Sequence, residues 1–253
     1  MKLRIVTWNV FLGMDLKGVL NSIETDDNFK NIDIFALQEA SIHDGIEDAK
    51  VIAATLGREY KYFQVTAQTI KGFPQANAII WNSEKVKVNK KDTISLPTFE
   101  ESVIGRVERT VKRFLPVEKR NSVIIEGLIG KKSFRFYSVH FDVLGFAHKK
   151  NQLAKIFMHD KERGKVDIVC VAGDLNTFKI LKRPLWTSLS NLATEYGFLD
   201  ITTTIKWTFS RKVIRLRQKT DAIFLKNKKI KYSSWSSNIK GSDHIPLFAI
   251  VEI

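Results

Sequence analysis

Apolar and polar positions along this chain alternate with two periods. Leu3, Ile5 and Val6 lead into Thr7 and Asn9, a strand pattern, and Leu16, Val19, Leu20 and Ile23 recur at helical spacing, predicting a helix over 15–25. Residues 32–37 form a short apolar run that reads as a buried strand ending at Gln38-Glu39. Ser41 and Asp44 have the spacing of a capping box, and Ile46, Ala49, Ala53 and Leu56 then mark one face of a helix that Gly57 would stop. Strands are predicted over 60–66, 76–81, 86–94, 122–129 and 134–141, several with period-two alternation. A helix over 147–163, a nearly continuous apolar strand over 166–172, a helix over 185–196 stopped by Gly197, and strands over 220–225 and 245–251 complete the chain. Residues 95–120, charged and carrying Pro97 and Pro116, read as a long exposed loop or hairpin arm.

Strands outnumber helices, and no repeat, low-complexity tract or Pro/Gly linker divides the 253 residues. One domain over 1–253 is expected. No apolar run approaches the roughly 20 residues of a membrane span, and residues 1–11 make a poor signal peptide, broken by Arg4, Thr7 and Asn9. Cys170 is the only cysteine, so no intrachain disulfide can form; inside Val169-Cys170-Val171 it reads as a buried small hydrophobe. A cytoplasmic protein is expected.

Charge changes the picture. The formal net charge is +14, and residues 206–231 contribute +9 of it, with Asp221 the one acid among ten Lys and Arg. A second basic stretch runs from Arg106 to Arg120. Clustered cations raise the local concentration of polyanions, although a basic run can also be a solvated face.

Polar residues of one chemical kind end or follow the strand-like runs. Glu39 follows a buried strand, where an unpaired carboxylate is costly, and with no Cys or His cluster the oxygen ligands on offer suit Mg²⁺ or Mn²⁺. Gly173-Asp174-Leu175-Asn176 places a carboxylate and an amide after a strand: Asp174 can deprotonate a water and Asn176 can hold it or a phosphate oxygen, while an Asx turn also satisfies the pattern. His244, in Gly241-Ser242-Asp243-His244, needs a partner to fix its tautomer, and Asp221 is placed to supply it. His140 ends another strand and could donate to a phosphate oxygen; Asn9 ends the first and could support a metal ligand. Trp8 reads as core, and His43, His148 and His159 as structural.

With these residues assembled, the chain resembles the endonuclease/exonuclease/phosphatase superfamily, the DNase-I-like fold. The resemblance is carried by Thr7-Trp8-Asn9-Val10, Asp33 to Glu39, Ala76 to Ile80, Gly173 to Asn176, Thr220 to Phe224 and Ser242 to Pro246, in order along the whole chain. It implies an α/β (α+β) four-layer αββα sandwich of two mixed β-sheets flanked by helices. It also implies Mg²⁺ (or Mn²⁺) held mainly by Glu39 with Asn9 and Asp243 nearby. His140, Asp174, Asn176, Asp221 and His244 would then form the catalytic set, Asp221 orienting His244. The chain departs from the apurinic-site endonuclease branch, because Asn9-Val10-Phe11-Leu12-Gly13 lacks that branch's second Asn and Arg, and Val139-His140-Phe141-Asp142 stands where it has a Tyr motif. Base-excision repair is therefore disfavoured.

The expected activity is divalent-metal-dependent phosphodiester hydrolysis, with a nuclease acting on DNA or RNA as the leading reading. Trp207, Arg211, Lys212, Arg215, Arg217 and Lys219 interleave cations with an aromatic, as a backbone-tracking groove would. A lipid-headgroup phosphodiesterase or phosphatase at an anionic membrane surface is the alternative. No aromatic-rich amphipathic hairpin supports it, residues 12–20 and 144–147 being the candidate apolar lips. A non-catalytic scaffold ranks last, since every motif residue is present. No obligate protein partner is evident.

Overall fold

The computed structural model describes residues 1–70, 72–98, 118–143, 145–177, 185–211, 216–226 and 230–253. In chain order the strands begin β1 (Lys2–Asn9), β2 (Ile34–Ala40), β3 (Ile42–His43), β4 (Ile46–Glu47), β5 (Tyr60–Ile70), β6 (Phe73–Asn82), β7 (Val86–Ser95) and β8 (Asn121–Ile129). They continue with β9 (Lys132–His140), β10 (Ile168–Asp174), β11 (Phe198–Asp200), β12 (Phe209–Arg211), β13 (Leu216–Gln218), β14 (Asp221–Lys226), β15 (Tyr232–Ser236) and β16 (Leu247–Glu252). The helices are α1 (Leu16–Thr25), α2 (Asp48–Leu56), α3 (Phe146–Glu162) and α4 (Leu185–Glu195).

Strands such as β10, buried along their whole length, require cover on both faces. Two six-stranded sheets supply it, in the orders β15-β16-β1-β2-β6-β5 and β11-β14-β10-β9-β8-β7. Leu3, Ile5, Ile34 and Ile79 of the first sheet pack against Val123, Phe136, Cys170 and Ile223 of the second in a shared core. Val19 and Ile23 of α1 with Ile52 of α2 cover the outer face of the first sheet, against Val6, Trp8 and Phe35. Leu153, Ile156 and Phe157 of α3 with Leu189 of α4 cover the second, against Tyr137, Val169 and Phe224. This is the expected four-layer αββα sandwich. Burial pushes the Cys170 thiol pKa upward, in keeping with a packing role.

Each sheet is antiparallel except for one central parallel pair, β1 with β2 and β9 with β10. Those four strands end on the same rim of the sandwich. The antiparallel neighbours β14 and β16 begin there, since Asp174 pairs with Asp221 and Thr7 with Leu247. Six polar motifs far apart in sequence therefore reach one edge.

Two local expectations change. Residues 41–47 are not a capping box and helix start: β3 and β4 pair as a hairpin, and α2 begins at Asp48. The cause is Asp44-Gly45, with φ of 51° and 77°; successive left-handed residues make the two-residue turn that matches strand twist. Asp48 instead accepts a hydrogen bond from the Ser41 amide at 2.7 Å. β2 does not end at Gln38-Glu39 either; it runs to Ala40 through a bulge, with the register against β6 shifting between Leu37 and Ala40. Most of the 95–120 arm, residues 99–117, lies outside the described residues, but Arg120 is buried.

Close strand approach fixes Gly173, whose φ is +152° and whose missing Cβ would collide with the Val139 carbonyl oxygen of β9. Gly173→Ala is expected to lower unfolding free energy by about 2–3 kcal/mol, the usual cost of overpacking. Gly72→Ala, at φ +86° with open space around it, should cost only about 1 kcal/mol from the left-handed backbone. Urea denaturation of both variants checks this, and equal losses would remove the close-approach argument.

Candidate active site

Asp174 is the last residue of β10, paired to His140 across the parallel β9 and to Asp221 across the antiparallel β14. Its two oxygens do different things. Oδ1 accepts from the Asn176 amide at 2.8 Å, which is an Asx turn, and Asn176 carries φ +49°. Oδ2 faces inward, 3.0 Å from Asn9 Nδ2 and 3.7 Å from the Nε2 of both His140 and His244. The turn and the chemical reading of Gly173-Asp174-Leu175-Asn176 thus coexist. Burial, then the Asp221 charge, raises the Asp174 carboxyl to about 7 against the opposing pull of His244.

Glu39 enters from the other sheet at the β2 bulge, with φ +51°. Bulges re-aim side chains, and this one turns Glu39 towards Asn9 Nδ2 at 3.3 Å and His140 Nε2 at 3.6 Å. Burial raises its pKa, while Arg120 and His244 oppose the rise. Asn9 Nδ2 bridges Glu39 and Asp174, and its Oδ1 accepts from the Phe11 amide at 3.0 Å. Asn176 turns its amide to the Phe141 carbonyl at 2.8 Å.

The two histidines differ in charge because their partners differ. His244 Nδ1 lies 3.0 Å from Asp221 Oδ2. Burial alone would lower its pKa, but Asp221 and Asp174 outweigh burial and raise it to about 10. Asp221 is itself set by the Thr220 hydroxyl at 2.8 Å, with Thr208 Oγ1 accepting from the Thr220 and Asp221 amides. His140 Nδ1 lies 3.0 Å from Arg120 Nη1. A guanidinium only donates, so Nδ1 accepts and the ring proton sits on Nε2, facing Glu39 and Asp174. Burial, with the charges of Arg120 and His244, lowers its pKa well below 6.5. At 3.6 and 3.7 Å neither carboxylate oxygen is within hydrogen-bond range of Nε2, and that buried nitrogen has no hydrogen-bond partner among the described residues.

Arg120 was hidden in what the sequence presented as a basic exposed arm. It also meets Gln75 at 2.8 Å, Glu118 at 2.8 Å and Asp142 at 3.3 Å. Asp142 in turn lies 2.8 Å from His148 Nε2, giving that histidine a buried role that its position alone did not disclose. The signal available was Asp142 itself, two residues after His140. Trp8, read as core, is buried and donates to the His244 carbonyl at 3.0 Å. Ser242 donates to the Asn9 carbonyl at 2.7 Å, and Phe209 lies edge-on to the His244 ring at 5.0 Å.

Two groupings could hold a cation. Asp174, Asp221 and His244 bring one ligand atom each within 4.8 Å of one another, but Asp221 and His244 are already paired and His244 is held protonated. Glu39 fits better. Asp243 is near enough to raise the pKa of both Glu39 and His244, and its buried Oδ1 lacks a hydrogen-bond partner among the described residues. The two carboxylates offer oxygen donors suited to a hard divalent cation; Asn9, expected beside the metal, turns Nδ2 to Glu39 and Asp174 and uses Oδ1 on the Phe11 amide, so it positions the carboxylates.

Of the predicted substrate-binding residues, Trp207, Arg217 and Lys219 have described side chains, and these three do not share one surface. Arg217 stacks over the Trp207 ring at 4.7 Å. Lys219 turns inward, over the Trp186 ring at 3.8 Å and donating to the Thr202 carbonyl at 2.6 Å. Lys212, Arg215 and the Arg211 side chain lie outside the described residues. The basic run is also split by β14, which carries the chain from Asp221 at this edge to Lys226 at the far edge, where Lys226 pairs with Asp160 at 2.6 Å.

The Asp221–His244 pairing has a pH signature. A histidine with a folded pKa near 10 contributes stability that is full below about 6.5 and declines as pH rises through 10. In Asp221→Asn, NMR titration should show His244 moving down towards 6.5 and the Asp174 carboxyl falling below 7, because one charge drives both shifts. Between pH 7 and 10 the part of the stability loss that comes from His244 should disappear with it. An unmoved His244 would mean Asp221 does not set its charge.

No family model and no curated protein matches the sequence. Solved structures do match over the whole chain. An endonuclease/exonuclease/phosphatase from Bacteroides vulgatus has a TM-score of 0.74 at 18% identity, covering 100% of this chain and 99% of that one. TDP2 from D. rerio complexed with a single-strand DNA product gives 0.72 at 17%, covering 100% and 99%. A mannosyl-6-phosphatase from Bacteroides thetaiotaomicron gives 0.72 at 17%, covering 99% and 100%. The sheet order, the two parallel pairs and these likenesses agree that the chain has the endonuclease/exonuclease/phosphatase, or DNase-I-like, fold.

Proposed function

We propose that the protein is a divalent-metal-dependent phosphodiester hydrolase acting on nucleic acid. One observation carries the reading: the same cleft holds a buried donor, His140 Nε2, and a buried acceptor, Asp243 Oδ1, each without a protein partner among the described residues. Buried polar groups are normally satisfied. A ligand that brings anionic oxygen to the first and a cation to the second satisfies both, and a metal-bound phosphate ester does so. Glu39 and Asp243, with Asn9 beside them, would hold Mg²⁺ or Mn²⁺, which when bound would neutralise charge on non-bridging and leaving oxygens.

The chain's own residues supply the rest. Asp174, with a pKa near 7, suits a general base at neutral pH. It takes one proton from the attacking water as the oxygen–phosphorus bond forms and the bond to the leaving oxygen breaks. His244, held cationic by Asp221, stabilises the extra negative charge of the five-coordinate transition state, and neutral His140 donates from Nε2 to a phosphoryl oxygen. Asn176 keeps Asp174 in place through its backbone amide. Support for nucleic acid over other phosphate esters comes from the sequence of 206–219, which holds six Lys and Arg and no acid, and from Arg217 stacked over Trp207 within it. The likeness to the DNA-bound TDP2 adds to it.

Asp174→Asn and His244→Ala should each lower turnover of oligonucleotides by about 10²–10⁴-fold, and EDTA should abolish it. Cleavage of single- and double-stranded DNA and RNA, sphingomyelin vesicles and a phosphoinositide with Mg²⁺ tests the substrate class. Near-wild-type turnover in either variant would overturn the site assignment, and reaction with lipid alone would overturn the nucleic-acid reading. Binding should also weaken steeply with salt, because phosphate contacts release counterions; a flat response would remove the charge argument.

A further inference from the structure

Of nine exposed large hydrophobic residues among those described, five (Phe11, Met14, Ile46, Phe73 and Val143) lie on the catalytic edge of the sandwich. They come from four separate segments: Phe11 and Met14 after β1, Ile46 at the start of β4, Phe73 at the start of β6, and Val143 after β9. An apolar rim confined to the mouth of a polar cleft marks a contact surface.

Part of this rim is built onto the active site. Phe11, Leu12 and Gly13 are three successive left-handed residues, with φ of 50°, 55° and 61°, a conformation that residues other than glycine rarely adopt. The turn is held at both ends. Asn9, whose amide bridges Glu39 and Asp174, accepts from the Phe11 amide. His43 Nε2 meets the Leu12 carbonyl at 3.1 Å. The His43 ring in turn lies 6.0 Å from Phe73, tilted by 49°. Phe11 and Phe73 are 41% and 38% exposed, so each ring is seated rather than projecting and offers part of its surface to the mouth. Across the cleft, on the β14 and β16 side, Arg217 over Trp207 forms a second planar platform. Strained backbone held by its surroundings in this way belongs to functional sites more often than to bare loops.

We propose that Phe11, His43 and Phe73 form a stacking subsite for an unpaired nucleobase adjoining the phosphodiester in the cleft. The inference rests on the nucleic-acid reading of the site and deepens it, because paired bases have no free face and the enzyme would then favour single strands. Planar platforms on both sides of the reacting phosphate fit a polymer that continues in both directions. Rings that are more than half buried fit stacking better than insertion into a bilayer.

The test uses the full chain in EDTA, so binding is read without cleavage. Anisotropy would compare a fluorescein-labelled 12-nucleotide single strand with the matching duplex. Phe11→Asn keeps a residue tolerant of the left-handed backbone while removing the ring, and Phe73→Ser probes the same subsite from a different loop. Each should weaken single-strand binding by about tenfold, within the range for one lost stack, leaving duplex affinity and the melting temperature of the protein unchanged. Unchanged single-strand affinity, or equal losses on duplex, in variants of a protein that does cleave nucleic acid would overturn the subsite and leave the nuclease reading standing. No binding and no cleavage of any nucleic acid by the wild type would overturn both. Capture on phosphatidylserine vesicles that the same substitutions abolish would overturn it and assign the rim to a membrane surface.

Discussion

Asp174 occupies the point on which the cleft depends. It ends the one strand that pairs in parallel with β9 on one side and antiparallel with β14 on the other. Parallel pairing puts His140 beside it at a strand end, and antiparallel pairing puts Asp221 beside it at a strand start. Neither neighbour could be reached by a local turn. The same rule operates in the facing sheet, where β1 and β2 are parallel and β16 is antiparallel to β1. The shared apolar core then presses the two edges together, so that Asn9 and Glu39 meet Asp174 and His140.

That convergence places three carboxylates and two imidazoles out of water, which is tolerable only if charge is distributed among them. The distribution is made by partners one step removed from the cleft. Asp221 makes His244 a cation against the effect of burial, and burial, reinforced by Arg120, keeps His140 a neutral donor. Asp174, between like charge and opposite charge, is left near neutrality in its titration. Pairs of groups whose environments push their pKa values apart are how a fold runs acid and base chemistry at one pH. The rim adds a different property: it is apolar and backbone-strained, and it is tied to Asn9, the side chain that bridges Glu39 and Asp174.

The sequence was most informative where burial is complete and the period is simple. The helix over 15–25, the helix stopped by Gly197 and the strand leading to Asp174 lie close to where periodicity placed them. It misled at 41–47, where Ser41 and Asp44 have the spacing of a cap, but Asp44-Gly45 is a stronger turn signal and the hairpin prevailed. A bulge such as that at Glu39 has no periodic signature, because one extra residue only interrupts a pattern. Arg120 was unreadable for another reason. A cation in a basic run looks solvated, and only its contacts with Gln75, Glu118, Asp142 and His140 account for its burial.

By itself the sequence determined the layered α/β architecture and the residue types at the strand ends, because strand burial and polar punctuation are written locally in the order of side chains. Tertiary structure alone decided which of those residues touch and which histidine is charged. It also decided that β14 separates Lys219 from Lys226 within the basic run and that Phe11, His43 and Phe73 lie on one rim. These are distances between segments that sheet pairing brings together, and a linear pattern carries no distance between residues a hundred positions apart.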